Sequence, residues 1–584
     1  MRTPRLSSNE RGIALITVLL LALALAAMTF GAAMVSMNGR LIRTYGERLT
    51  VAEDGSLAGL EEGRSRLNGD KTLYPATGYT TLETGVAVRD AAGAVIPNLT
   101  RWTYAGPSGV SSGQYGVFGS IISVVQDNMN IRTVRRLEVN QESFAKYAYF
   151  TDIEPSNISF GPGDQIWGPV HSNDVLKIYS PGFAKFHDVT RTAMTVSGAA
   201  YGVFDKGYEQ NVSPIPMPVT ADATKLNTQA TAGNLSFTGY VSATTGLART
   251  RIEFVGLDLN GDGDTNEDDE GFIKVYQGAA GKEAFVVADR PSGAITTTTN
   301  CGDFNATYHV GFKATSAHAA SGAHAQVNSL TDNSARCYLG GDATLTGGFA
   351  ASTANGQWLA WGGAVDARVT ALKGAEAPYF HPITRALNPN FKGVIYVSGD
   401  VAISGTVRAR VTLASPNDIV IVDNVKQATD PSVGVCDDIL GLFAAGDVVV
   451  ADNLLNAPVN VSGSTYKTMR PVGNQDEYIH AVVLALNNFT VESYSTGPTT
   501  QEPCGAQAWG RGCLRLTGGI IQKTRGAVGT TGGTGNLKAY SYNACANTDP
   551  PPYFPTTGRF ARNRFYELDP VGFNVTTWFT TYQQ

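Results

Sequence analysis

The densest run of chemistry-bearing residues is Asp258-Leu-Asn260-Gly-Asp262-Gly263-Asp264-Thr-Asn266-Glu-Asp-Asp269. Oxygen donors fall at alternate positions, and a hard cation such as Ca²⁺ takes about six to eight oxygens. Alternate spacing gathers those oxygens round one ion only if the backbone turns sharply, and Gly263 supplies that freedom. On this reading Asp258, Asn260 and Asp262 donate side-chain oxygens and Asp264 a backbone carbonyl. Asn266 donates directly or through water, and Asp269 supplies the closing carboxylate. Phe272-Ile273-Lys274-Val275-Tyr276 reads as a strand, so no second helix frames the loop. The expectation is a structural Ca²⁺ site. A solvated acidic turn is the plain alternative.

Elsewhere the reactive residue types are thinner. His171 lies beside Asn173 and Asp174 and reads more simply as a turn histidine at the edge of a β structure. His309, His318 and His324 could ligate a metal, but their Ala- and Ser-rich segment has no acid nearby. Asp418, Asp423, Asp437, Asp438, Asp447 and Asp452, with Arg408 and Arg410, could serve a carbohydrate-active enzyme. Glycoside cleavage needs two carboxylates about 5–9.5 Å apart on one face, and spacing alone does not place any pair. Asp at turns is ordinary turn chemistry. No Gly-x-Ser-x-Gly, phosphate-loop or His-Glu-x-x-His string occurs, so no catalytic residue is assigned. The longest basic cluster, Arg559, Arg562 and Arg564, is broken by Phe560 and Phe565 and reads as a solvated turn. With 44 basic and 50 acidic residues the net charge is −6, which argues against a wholesale nucleic-acid surface.

All six cysteines, Cys301, Cys337, Cys436, Cys504, Cys513 and Cys545, lie in the second half of the chain, and none forms a Cys-x-x-Cys pair. An even number suggests disulfides in an oxidising compartment. Cys504–Cys513 and Cys301–Cys337 are the short closures, which leaves Cys436 with Cys545. Free structural cysteines are the alternative.

These residues need elements to hold them outside the cytoplasm, and the N-terminus supplies one. The leader MRTPRLSSNERG carries three arginines and one acid, and Ile13 to Met37 then carry no charge. At about 1.5 Å per residue that run makes a helix of roughly 38 Å, enough to cross a bilayer. Arg40, Arg43 and Arg48 beyond the run are balanced by Glu47, Glu53 and Asp54. The excess of arginine before it therefore places the leader in the cytoplasm and the bulk of the chain outside. A cleaved secretory signal would use a shorter apolar core, and its candidate site at Ala24-Leu25-Ala26 falls mid-run. An uncleaved anchor is a second possibility. Past the span, Leu41, Tyr45, Leu49, Ala52, Leu60 and Leu67 recur at helical spacing, a stripe for packing on a globular head.

The basic leader ending at Gly12, followed by Ile-Ala-Leu-Ile and a long apolar helix, resembles the class III signal of type IV prepilins. The resemblance implies cleavage after Gly12 by a prepilin peptidase and methylation of the Ile13 amine. It departs at the fifth mature position, where prepilins carry Glu and this chain has Thr17. That departure suits a minor subunit at a tip, where no subunit lies beyond. The segment AEDGSLAGLEEGRSRL resembles PilX-type minor pilins.

Charged residues are 16% and glycines number 65, which with many Thr, Val and Tyr points to β structure with frequent turns. Gly116–Val125 and Ile131–Val139, joined by Asp127-Asn128-Met129-Asn130, read as a hairpin. Val394–Val397, Val401–Ile403, Val411–Leu413, Ile419–Val422 and Val448–Val450 are short β-branched runs separated by turn residues. Such runs suit a parallel β-solenoid, in which each run is one side of a coil. A sandwich with short strands is the rival. The expected fold is mainly β. It comprises a leader (1–12), a transmembrane and stalk helix (13–69) and a small β unit (70–143). The start of a solenoid-like domain (144–200), a loop-rich insertion carrying the Asp258 loop (201–370), and the rest of the solenoid with a C-terminal segment (371–584) follow.

GVIYVSGDVAISGTVRARVTLASPNDIVIVDNV, with GPVHSND, GGIIQ, RGAVGT, PPPYFPTTGRF and ELDPVGF, resembles a domain that follows PilX-like N-termini in bacterial surface proteins. The Asp258 loop, with Asp at its last position, is similar to dockerin-type calcium loops. Together the resemblances imply a non-enzymatic minor pilin or pseudopilin-like subunit of a type IV pilus or related secretion or DNA-uptake machine. Its expected partners are the membrane, other pilin-like subunits, a prepilin peptidase and a surface polymer or DNA. It would sit as a single-pass inner-membrane protein with its bulk periplasmic or at the cell surface. The alternative is a membrane-anchored β-solenoid lyase or hydrolase.

Overall fold

The structure, a computed structural model, describes residues 8–109, 118–243, 246–278, 356–451, 476–492 and 502–582, with short pieces at 280, 286–289, 336–338, 459–462, 465–467 and 494–495. The chain divides into two compact units. One takes its N-terminal residues, 118–141 and 559–582; the other takes 142–558.

The first unit begins with α1 (Ser8–Gly69), 62 residues long, or about 93 Å. Its first half carries exposed apolar side chains from Ile13 to Tyr45, and Ile13, Leu19, Phe30 and Met37 are each more than half exposed. Its second half lies on an antiparallel sheet. The sheet runs in order through β1 (Thr80–Arg89), β2 (Val95–Pro107), β3 (Phe118–Asp127) and β4 (Arg132–Ser143), with the strand Thr556–Leu568 beyond β4. Leu60, Leu67, Ile121, Leu137, Val139 and Phe560 make the core between helix and sheet. The buried stripe starts at Ala52; Leu41 and Tyr45, counted into it from spacing, are 61% and 57% exposed.

Close approach comes from glycines. A Cβ on Gly59 would sit 2.3 Å from Ser123 Oγ and 2.5 Å from Arg101 Cδ, and one on Gly63 would sit 2.8 Å from Ile121. Arg101 is fixed in turn by two contacts to the buried Glu83 carboxylate, 2.7 and 2.8 Å. The β3–β4 hairpin forms where its turn residues predict: Asp127 Oδ1 accepts N–H bonds from Met129 and Ile131, both 2.8 Å, and Asn130 adopts φ 62°. Residues 559–582 belong to this unit, so the region expected as one domain over 371–584 is divided at 558. The cluster Arg559, Arg562, Arg564 lies on a strand, not a turn, and Arg562 pairs with Glu61 at 2.7 Å.

In the second unit, short strands stack in parallel. One ladder runs Ile395, Leu413, Leu442, Val483, Ile520, Tyr149, Val170, Thr190. Another runs Val401, Ile419, Val448, Phe489. Both ladders point into one continuous apolar core. The opposite side of the first ladder is buried too, where Tyr396, Phe443, Leu484 and Phe150 meet Phe144, Ile215, Leu226 and Phe554. Burial on both faces explains why these strands read as unbroken apolar runs instead of alternating ones.

The chain order in the stack is not the stack's spatial order. Residues 149–209 wind away from the Ile520–Tyr149 pairing in one direction. Ser236–Phe237 then pair with Tyr396–Val397 at the other end, and residues 394–524 wind back towards Tyr149. Two ion pairs of low exposure fasten the place where the two runs meet. Arg525 contacts Glu154 at 3.1 Å, and Lys538 contacts Asp164 at 2.7 Å. Thr250–Gly256, counted in the loop-rich insertion, pairs in parallel with Val401–Gly405 and belongs to the stack.

Candidate functional site

Three places carry the chemistry. The first is the exposed half of α1, the described helix long and apolar enough to cross a membrane. A helix with no polar face over this length gains by burial in lipid, since each large side chain removed from water contributes about 1.5–3 kcal/mol. Thr17, where the prepilin pattern has a carboxylate, donates its hydroxyl to the Ile13 carbonyl within the helix.

The second is the loop 258–269. It closes an antiparallel hairpin, Thr250–Gly256 with Gly271–Gly278. Asp258 accepts the Gly263 N–H at 3.0 Å and also the Gly261 N–H, and Asn260 and Asp262 accept N–H bonds two residues on. Glu270, fully buried, holds the loop's base by accepting the Leu259 N–H at 2.6 Å. Asp262, Asp264 and Glu267 offer carboxylate oxygens within 4.8 Å of one another. Asp269, expected to close the set, pairs with Arg368 at 2.7 Å and is not one of these three. A hydrogen bond that only a protonated Glu267 can donate to the neighbouring Glu270 carboxylate pushes the Glu267 carboxyl above its ordinary value. Neither was found from sequence, because Glu267 falls off the alternate spacing and Glu270 lies one residue beyond the expected closing position.

The remaining predicted residues scatter. His171 is not a turn residue: it sits in the strand Val170–Ser172, 1% exposed, stacked on Phe150 and bonded to Asn173 at 2.9 Å. Arg408 and Asp438 form a buried pair at 2.8 Å, and Arg410 contacts Asp549. Asp418 and Asp447 form a corner ladder with Asp400: Asp418 accepts the Asp447 N–H at 2.7 Å and Asp447 the Asn488 N–H at 2.9 Å. Burial, with Asp400 and Asp447 close by, pushes the Asp418 carboxyl up. Asp423 is buried. Cys436–Cys545 and Cys504–Cys513 are bonded. Cys301 and the side chain of Cys337, His309, His318, His324 and Asp452 lie outside the described residues.

The third place carries no sequence motif. A groove of about 650 Å³ crosses five neighbouring strands, Ile419–Gln427, Glu477–Ala485, Cys513–Thr524, Leu537–Tyr542 and Gln165–Ile166. Tyr478 lies opposite Arg515, Arg515 opposite Ala539, and Ala539 opposite Gln165. The small Ala539 leaves the middle of the floor low. Trp167 stacks flat on His187, ring centroids 3.4 Å apart, and is itself 49% exposed. Lys426 Nζ lies 4.0 Å from the Tyr478 ring centre. One wall is the hairpin Glu502–Cys504 and Gln507–Trp509, pinned by the Cys504–Cys513 bond. His480 accepts the Gln427 N–H on Nδ1 at 3.3 Å, and burial lowers its pKa, so it is neutral near pH 7. These residues come from separate segments of the chain, with Trp167 and Ser541 374 positions apart, so linear spacing gave no signal.

No protein-family model matches the chain, and no curated protein matches it. Among solved structures, it is similar to the crystal structure of competence-associated pilin ComZ from Thermus thermophilus, at 12% identity over 88% of this chain and 97% of that one. The TM-score is 0.26, too low to carry an argument about fold or function.

Proposed function

We propose that this chain is a membrane-anchored, pilin-like subunit whose first unit enters or primes a filament and whose second unit is an exported head wound as a β-solenoid. The observation that carries this is α1 itself. One continuous helix is bare and apolar over its first half and packed by Ala52, Leu60 and Leu67 onto an antiparallel sheet over its second. The Gly12–Ile13 sequence supports processing by a prepilin peptidase, and the two bonded cysteine pairs suit an oxidising compartment. The parallel ladders support the solenoid reading. The non-enzymatic reading is favoured over a lyase or hydrolase because Asp418, Asp438 and Asp447 are engaged in backbone and arginine contacts. Shearing filaments from cells tests the proposal. The chain should appear in the sheared fraction and vanish from it in cells lacking the prepilin peptidase. An unchanged membrane distribution in both would overturn it.

The 258–269 loop supports a second element of this reading, a structural Ca²⁺. Ligands at about 2.3–2.6 Å from one ion lie up to roughly 5 Å apart, and the 4.8 Å limit on Asp262, Asp264 and Glu267 fits that span. Titration of the full chain in detergent should release heat with Ca²⁺ and lose it in Asp262→Ala. No heat at millimolar Ca²⁺ would remove the proposal.

A further inference from the structure

The groove across the five strands is a second, separate surface, and its lining selects a ligand class. Trp167 offers a half-exposed flat face braced from behind by His187. Tyr478 stands three strands away across the floor and also lines the groove. At about 4.8 Å between strands, the floor from Ile419–Gln427 to Gln165–Ile166 is roughly 19 Å long. That length suits an extended chain of several rings and is excessive for one small molecule.

Between the aromatic faces the polar groups are mostly amides and hydroxyls: Gln165, Gln427, Gln507, Thr517 and Ser541. Each of these both donates and accepts. A partner that matches them must do the same at many points while presenting apolar C–H faces to the rings. Sugar rings have both properties.

Charge decides between a neutral and an anionic polymer. Phosphate or carboxylate chains need cations that are free to pair. Arg515 is held by Asp476 at 2.6 Å and Lys538 by Asp164 at 2.7 Å. Among the described lining residues, that leaves Lys426 without a carboxylate in salt-bridge range, and Asp430 offsets it. Asp430 is also the single carboxylate of that described lining, and it accepts the Ser432 N–H at 2.8 Å. Two carboxylates are needed for glycoside cleavage, so the geometry is one of holding, without cutting.

We propose that this groove binds a chain of uncharged sugars, with Trp167 and Tyr478 as stacking platforms and Gln165, Gln427 and Gln507 as hydroxyl partners. The proposal deepens the reading of the second unit as an exported head and rests on it only for access to an external glycan. Full chain in detergent, applied to an array of neutral oligosaccharides beside uronic-acid, sulfated and single-stranded DNA probes, tests it apart from any filament assay. Neutral probes should bind, and binding should hold between about 50 and 200 mM salt, where phosphate contacts weaken steeply. Trp167→Ala and Tyr478→Ala should each weaken binding by about tenfold, and Trp167→Phe should retain most of it, because the ring face remains. Absence of neutral binding, salt-sensitive binding to the charged probes alone, or unchanged binding in Trp167→Ala would each overturn the proposal.

Discussion

Single residues set the pH response and the fidelity of the stack. His381 is 2% exposed, packed edge-on against Phe237 and Trp361, and donates Nε2–H to the Leu359 carbonyl at 2.9 Å. Burial pushes its pKa down from 6.5 to about 4. A histidine depressed in the folded state contributes stability that is complete above its unfolded value and is lost as pH falls through the folded one. The second unit should therefore lose up to roughly 3 kcal/mol between about pH 6.5 and 4 from this residue. Urea unfolding across that window should show a smaller loss in His381→Gln than in the native chain; equal slopes would contradict the assignment. Arg525 and Glu154 act on register. They lie 371 positions apart, and Glu154 also accepts from Tyr149 and Thr151. Removing one partner from such a pair costs about 3–5 kcal/mol, whereas neither charge adds much as a pair. Nothing in the linear sequence marks these two as partners, because the pairing depends on the chain leaving the stack and returning. The alternate acids of 258–269 were legible for the opposite reason: their geometry is local.

At the scale of elements, the short β-branched runs at 394–450 announce parallel strands because both faces are buried and no polar alternation is needed. The hairpin at Asp127–Asn130 was equally plain from its turn residues. The helix stripe was misread at its start. Leucine spacing carried it back to Leu41, but the sheet begins to cover α1 only near Ala52, and the better signal is Gly55, Gly59 and Gly63 at intervals of four. Gly59 and Gly46 separate helix propensity from fit. Alanine stabilises an open helical position by about 1 kcal/mol over glycine. Gly46, with nothing within 4 Å of a new Cβ, should show that gain. At Gly59 the Cβ meets Ser123 and the ion-paired Arg101, so Gly59→Ala should lose about 1–3 kcal/mol despite its better propensity. Thermal unfolding of the two variants should move in opposite directions, and a gain at Gly59 would show that the helix does not sit this close to the sheet.

At the scale of the whole molecule, the sequence carried the long apolar helix and the β class, which are patterns of composition, and the Cys504–Cys513 pair, a short spacing; Cys436–Cys545, 109 positions apart, followed only as the pair left over. The division at 558, the return of the chain to Tyr149 and the groove were hidden, because each is made by residues hundreds of positions apart. The central claim is that the bare half of α1 is inserted in lipid, trimmed of its leader and later drawn into a filament. The mass of the mature N-terminus tests it most directly. The account predicts a chain beginning at a methylated Ile13 in cells with a prepilin peptidase and an untrimmed chain in cells without one. A chain that keeps Met1 in both, or is cut near Ala26, contradicts it.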